Sequence, residues 1–65
     1  MIFVTRLNGT RIVVNAELIR TVEEHPDTMI TLLNGDRLIV QETAEDVVDR
    51  AIEYGRHLRT IVAPS

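Results

Sequence analysis

A nucleophilic mechanism needs a Ser or Cys held beside a positioned base, and this chain has no cysteine and one serine, Ser65, at its far end. Two histidines, His25 and His57, stand far apart in sequence. Without a clustered carboxylate they fall short of a normal metal coordination set. Glu23-Glu24 is the nearest thing to a carboxylate pair, yet adjacent strand residues point to opposite faces, so the two cannot share a proton. No catalytic residue, metal ligand, cofactor or small-molecule substrate is expected. What remains is recognition chemistry, carried by arginines and by polar residues at exposed turns.

Those residues are organised around a stretch that occurs twice. Leu7-Asn8-Gly9-Thr10-Arg11-Ile12-Val13-Val14 returns as Leu33-Asn34-Gly35-Asp36-Arg37-Leu38-Ile39-Val40. Asn-Gly between apolar runs is a strong hairpin signal, because the two-residue type I′ turn needs positive φ at both central positions. With two-residue turns, Arg6 faces Arg11, Val4 faces Val13 and Phe3 faces Val14 in the first hairpin. Ile30 faces Ile39 and Arg37 faces Leu32 in the second. Like charges directly across a ladder repel, so Arg6 opposite Arg11 calls for splayed, solvated side chains, a carboxylate of the same chain, or an anionic partner between them. The tips at Asn8 and Asn34 are turn chemistry first, and exposed tips are often recruited for binding. They offer too few backbone donors for a phosphate loop.

The elements that must hold these residues follow in order. Ile2 to Leu7 and Arg11 to Asn15 read as strands. Asn15-Ala16-Glu17 breaks the pattern as a turn or single helical turn capped by Asn15. Leu18 to Glu24 reads as a third strand, with a short helix as the alternative, and His25-Pro26-Asp27 ends it. Thr28 to Leu33 and Asp36 to Gln41 complete the second hairpin. Thr43-Ala44-Glu45-Asp46 is close to a capping box. Beyond it Ala44, Val47, Val48, Ala51, Ile52, Gly55 and Leu58 make one helical apolar stripe. Acidic residues come first and Arg56, His57 and Arg59 last, in keeping with the helix dipole. Glu42, Glu45, Asp46, Asp49 and Glu53 read as a solvated face, with binding of a basic surface as the alternative. The predicted fold is α+β: a small five-stranded antiparallel β-meander of two Asn-Gly hairpins with a C-terminal α-helix packed on it. Residues 1–60 form the single domain and residues 61–65 a flexible tail.

Composition sets the limits. A chain of 65 residues buries only about 60% of its surface on folding, and without cysteine it has no disulfide to add stability. In the two-residue register both hairpins carry apolar side chains on both faces, and one helix covers only one of them. The other face needs a second copy, another protein, or closure of the meander into a small barrel, and a homo-oligomer is the expectation. The net charge of −3, ten acidic against seven basic residues, all seven of them arginine, gives nucleic acid and anionic membranes no electrostatic help. No apolar run reaches the ~18 residues of a membrane span. Met1-Ile2-Phe3-Val4 lacks a charged leader and stops at Thr5-Arg6, so no signal peptide is expected. The predicted location is the cytoplasm, with membranes reached only through partners.

Four segments together carry a resemblance: Ile2-Phe3-Val4-Thr5-Arg6-Leu7-Asn8-Gly9, Asn15-Ala16-Glu17-Leu18-Ile19, Pro26-Asp27-Thr28-Met29-Ile30-Thr31-Leu32-Leu33-Asn34-Gly35, and a helix holding Val47-Val48 and Ile52-Glu53-Tyr54. In this order and at this length the chain resembles the FlbD/SwrD family of small bacterial flagellar and swarming-motility proteins, from Ile2 to about Leu58. The resemblance implies a cytoplasmic, non-enzymatic protein at the cytoplasmic side of the flagellar motor. There it would support motor or stator function through contacts with basal-body or stator proteins. It transfers no catalytic residue. Arg6, Asn8, Asn15, Asp27, Thr28 and Asn34 are its motif positions for partner contact, joined by Arg11 and Arg37 from the hairpins. Tyr54-Gly55-Arg56-His57-Leu58-Arg59 departs from the family's lysine-rich helix end, so no basic-tail interaction is carried over. Two other readings are a small nucleic-acid-binding β module acting as a regulator and an adaptor whose edge strand pairs with a client strand. The first is opposed by the acidic balance and the scarcity of aromatics for base stacking.

Overall fold

In the computed structural model, which describes the backbone of residues 1–62 and side chains through Arg56, five antiparallel strands precede one helix. They are β1 (Ile2–Thr5), β2 (Arg11–Val14), β3 (Ile19–Glu24), β4 (Thr28–Leu32), β5 (Arg37–Val40) and α1 (Ala44–Val62). The strands fall into two sheets, β1-β2 and β3-β4-β5. The sheets meet at a bridge between Arg6 and Val40, where the Gln41 N–H also donates to the Thr5 carbonyl at 2.8 Å. The α+β class and the order of elements are those expected from the sequence. The helix runs through Val62, two residues into the stretch expected as a tail, and the rest of that stretch lies outside the described residues.

Register is the main correction. Ile2 pairs with Val14, Phe3 with Val13, Val4 with Ile12 and Thr5 with Arg11. In the second hairpin Thr28 pairs with Val40, Met29 with Ile39, Ile30 with Leu38 and Thr31 with Arg37. Each pairing lies one residue from the two-residue expectation, because each turn has three residues. The Gly9 N–H returns to the Arg6 carbonyl at 2.9 Å and the Arg6 N–H closes on the Thr10 carbonyl at 2.8 Å, a pattern repeated at Gly35, Leu32 and Asp36. Among the described residues only Gly9 and Gly35 take positive φ, +90° and +93°. This is the type I turn with a glycine bulge, in which the residue before glycine stays right-handed. Asn8 and Asn34 serve it through their side chains, each Oδ1 accepting the N–H two residues on, of Thr10 and Asp36, at 3.0 Å.

One residue of slip turns every side chain over. Ile2, Val4, Val14, Ile30 and Val40 now share the interior with Val47 of the helix, flanked by Ile12, Leu32 and Leu38. Phe3, Val13 and Ile39 remain on the outside, so the outer faces are mixed rather than apolar throughout. Arg6 and Arg11 do not oppose each other, and the expected like-charge pair is absent. Arg11 instead lies diagonal to Phe3 and stacks over its ring at 4.9 Å from the centroid, a cation–π contact that shields the ring.

The remaining joints follow from local chemistry. Asn15 caps a 3-10 turn, Ala16–Leu18, by accepting the Glu17 N–H. In β3 a register shift between Ile19 and Thr21 lets Ile19 and Val22 both lean on the core, although their spacing of three is wrong for a regular strand. That irregularity is why a helix competed with a strand in the sequence reading. The turn before β4 passes through a cis His25–Pro26 bond. Thr43 accepts the Asp46 N–H at 3.1 Å as the helix cap, and Glu24 of β3 adds a second acceptor for the Ala44 N–H at 2.8 Å. Among the described residues no helix is long and apolar enough to cross a membrane.

The register separates two valines that the sequence reading treats alike. Val4 is fully buried and Val13 is 52% exposed. Val4→Asp should cost about 3–5 kcal/mol, because it buries an unpaired charge, enough to unfold a domain of this size. Val13→Asp should cost under about 1 kcal/mol. Thermal melts of the two variants check the assignment, and equal losses would contradict it.

Candidate functional site

Among the described residues the most connected polar group lies where the two sheets and the helix meet. Thr5 ends β1 with its N–H and carbonyl both turned away from β2. Its N–H donates to Glu42 Oε1 at 2.8 Å and its hydroxyl to Glu42 Oε2 at 2.9 Å. Arg50, two turns into α1, donates through the same nitrogen to the Phe3 carbonyl at 2.7 Å and to Glu42 Oε2 at 3.3 Å. One carboxylate thus ties β1, the segment after β5 and α1 together.

The Glu42 side chain is only 12% exposed, so it is not part of the solvated acidic face expected from the sequence. Burial alone would raise its pKa. The Thr5 and Glu42 backbone N–H groups, the Thr5 hydroxyl and Arg50 more than offset that and hold the carboxyl below its ordinary value. A general base for neutral pH needs a pKa tuned upward. Glu42 is tuned the other way and its oxygens are committed, which suits a structural anion. Beside it Ile2, Phe3, Arg11, Glu53 and Tyr54 border an open cleft of about 670 Å³. Among the described residues no group of three or more His, Asp or Glu side chains converges to hold a metal.

The residues expected to contact partners are dispersed, with one exception. Arg6, Asn8 and Arg37 line a shallow depression together with Leu7 and Ile39. Here the tip of the first hairpin comes against β5. Among the described residues no carboxylate lies within ion-pair distance of Arg6 or Arg37, the bridges present being Arg50–Glu42 and Arg56–Glu53. Arg11 stands apart over Phe3. Asn15 is committed to its cap, and Asn34 lies at the other tip, where it also donates to Asp36 at 3.0 Å. Asp27 is exposed in the turn before β4. Thr28 is only 3% exposed, so it serves the interior and not the surface.

Sequence reasoning missed Glu42, Thr5 and Arg50 as a unit. Thr5 and Glu42 are 37 residues apart, and nothing in local spacing marks two residues that meet only through topology. The basic depression was within reach of sequence reasoning once Asn8 and Arg37 were placed on adjoining hairpins. Its formation depended on the bridge between Arg6 and Val40.

The family model for FlbD, described as flagellar and swarming motility proteins, matches residues 1–58. No curated protein and no solved structure gives a match.

Because the Glu42 pKa is lowered in the folded chain, its contribution to stability is present above the unfolded carboxylate pKa and is lost as pH falls through the folded value. Glu42→Gln removes the charge but keeps the shape. It should cost about 1–3 kcal/mol at pH 7, and the gap from the parent should shrink steadily as the pH is lowered below the carboxylate range. Denaturant titrations at pH 7 and pH 3 measure this. A gap that is the same at both would show that the charge is not what the clamp uses.

Proposed function

We propose, from the premise that this chain belongs to the FlbD family of flagellar and swarming motility proteins, that it acts without chemistry of its own. It supports the flagellar motor by binding a basal-body or stator component at the cytoplasmic side of the membrane. The observation that carries the contact reading is the depression formed by Arg6, Asn8 and Arg37 beside the exposed Leu7. Two guanidinium groups with no carboxylate of the described residues in range, next to exposed apolar side chains, fit an acidic and partly apolar protein segment. Arginine suits such contacts because its planar fork engages carboxylates bidentately. The surrounding chain is acidic, so this patch is a local exception to the overall field. That favours a specific docking point over diffuse attraction to polyanions. Membranes enter this reading only through the partner.

A strain deleted for the gene and complemented with the Arg6→Glu/Arg37→Glu variant tests this. Both side chains are exposed, so the variant should melt with the parent and accumulate to the same level. Rotation speed of tethered cells and capture of stator or switch proteins should both fall several-fold. Parental rotation and capture by the variant would remove this surface from the proposal. A salt-sensitive RNA or DNA shift by the parent, abolished in the variant, would move the reading to a nucleic-acid module.

A further inference from the structure

The helix carries a second surface that the depression does not touch. On the side of α1 turned away from Glu42, Val48 is 43% and Ile52 51% exposed. With Ala51 and Gly55 they border an apolar groove of about 470 Å³, whose other wall is Ala16, Ile19 and Val22. Glycine inside a helix costs about 1 kcal/mol relative to alanine. Nothing among the described residues requires it here, because a Cβ at Gly55 would meet none of their atoms within 4 Å. The molecule is also elongated, 42 × 22 × 18 Å with a radius of gyration of 12.4 Å, against about 10.7 Å for a compact chain of this length. It exposes 4766 Å², whereas a compact monomer of its mass exposes about 4,200 Å². That excess over the whole molecule is about 570 Å², about two-thirds of the roughly 800 Å² that each partner contributes to a standard interface.

The charges beside the groove select the occupant. Along α1 acidic Glu45, Asp46 and Asp49 come first and Arg56, which also pairs with Glu53 at 3.5 Å, comes later, with Asp49 and Arg56 both exposed and centred about Ile52. A second α1 laid antiparallel across Ile52 brings each Asp49 opposite the other copy's Arg56. The same pair is made twice by the two-fold axis. It also opposes the helix dipoles favourably and seats each Ile52 beside the other copy's Gly55. A parallel pairing would align like charges. We propose that this groove is filled by a second copy of the chain, with α1 packed antiparallel on α1. The inference stands apart from the motility reading, since it requires no other protein.

Sedimentation equilibrium on the full chain tests it, with the melting temperature of each variant checked first. The parent should form a concentration-dependent dimer, and Ile52→Asp should abolish it without unfolding the chain. Asp49→Arg and Arg56→Glu should each weaken the dimer about tenfold, since both place like charges across the axis. An equimolar mixture of those two variants should recover parental affinity, because each reversed charge then meets its opposite. A parent that stays monomeric at high concentration overturns the proposal. So does a dimer indifferent to Ile52→Asp, or a mixture no tighter than its separate components. Loss of the dimer on adding anionic lipid vesicles, with α1 protected by the lipid, would also overturn it in favour of a membrane surface.

Discussion

The constraint on which the rest depends is the positive φ of two glycines. Gly9 and Gly35 each occupy the third position of a three-residue turn, and the length of that turn fixes which residues oppose each other across the ladder. With it, Ile2, Val4, Ile12 and Val14 share one face of the first hairpin, and Ile30, Leu38 and Val40 share one face of the second. With a turn one residue shorter the same side chains would be split between two faces. A chain this small has little apolar surface to spare, so only the longer turn collects enough of it in one place to meet Val47.

Collecting the apolar residues leaves a gap at the seam that polar chemistry closes. The outer edge of β1 would present the N–H and carbonyl of Thr5 to solvent, the exposure that makes sheet edges prone to unwanted pairing. Gln41 and Glu42 occupy that edge instead. Arg50 then commits the carboxylate to the helix as well as to the strand. A buried ion pair alone is weak evidence for stability. Here the carboxylate also accepts from a backbone N–H and a hydroxyl, so its desolvation is offset by donors, and the net lowering of its pKa is the sign of that balance.

These two devices explain what the sequence does and does not reveal. Element types were legible because they rest on neighbours: the alternation in β1, the Asn15 cap, the Thr43 cap and the stripe leading to Val47 are all local. Register was not, since Asn-Gly satisfies a two-residue turn and a three-residue turn equally well, and only burial decides between them. From that single ambiguity came the misplaced Arg6–Arg11 pair and the apolar faces on both sides of the sheet. The motif threonine Thr28 shows a related limit, because a residue marked by family resemblance can be one the interior requires. Glu42 was hidden for a different reason. Its partners are distant in sequence, and a carboxylate just before a helix looks like any other residue that complements the dipole.

The packing also divides the surface into regions of different character. The side of α1 toward Glu42 is spent on holding the fold, while its Val48–Ile52 side and the exposed Arg6 and Arg37 side chains beside the first hairpin's tip are not. The tip is basic within an acidic chain, and the helix side is apolar with Asp49 before it and Arg56 after it along the axis. The two regions are built on separate elements and share no residue. Occupation of one therefore places no steric demand on residues of the other, and substitutions at Arg6 or Arg37 can be read independently of those at Ile52. A chain with one small core, held by one carboxylate at its seam, can in this way keep two faces free of the requirements of folding.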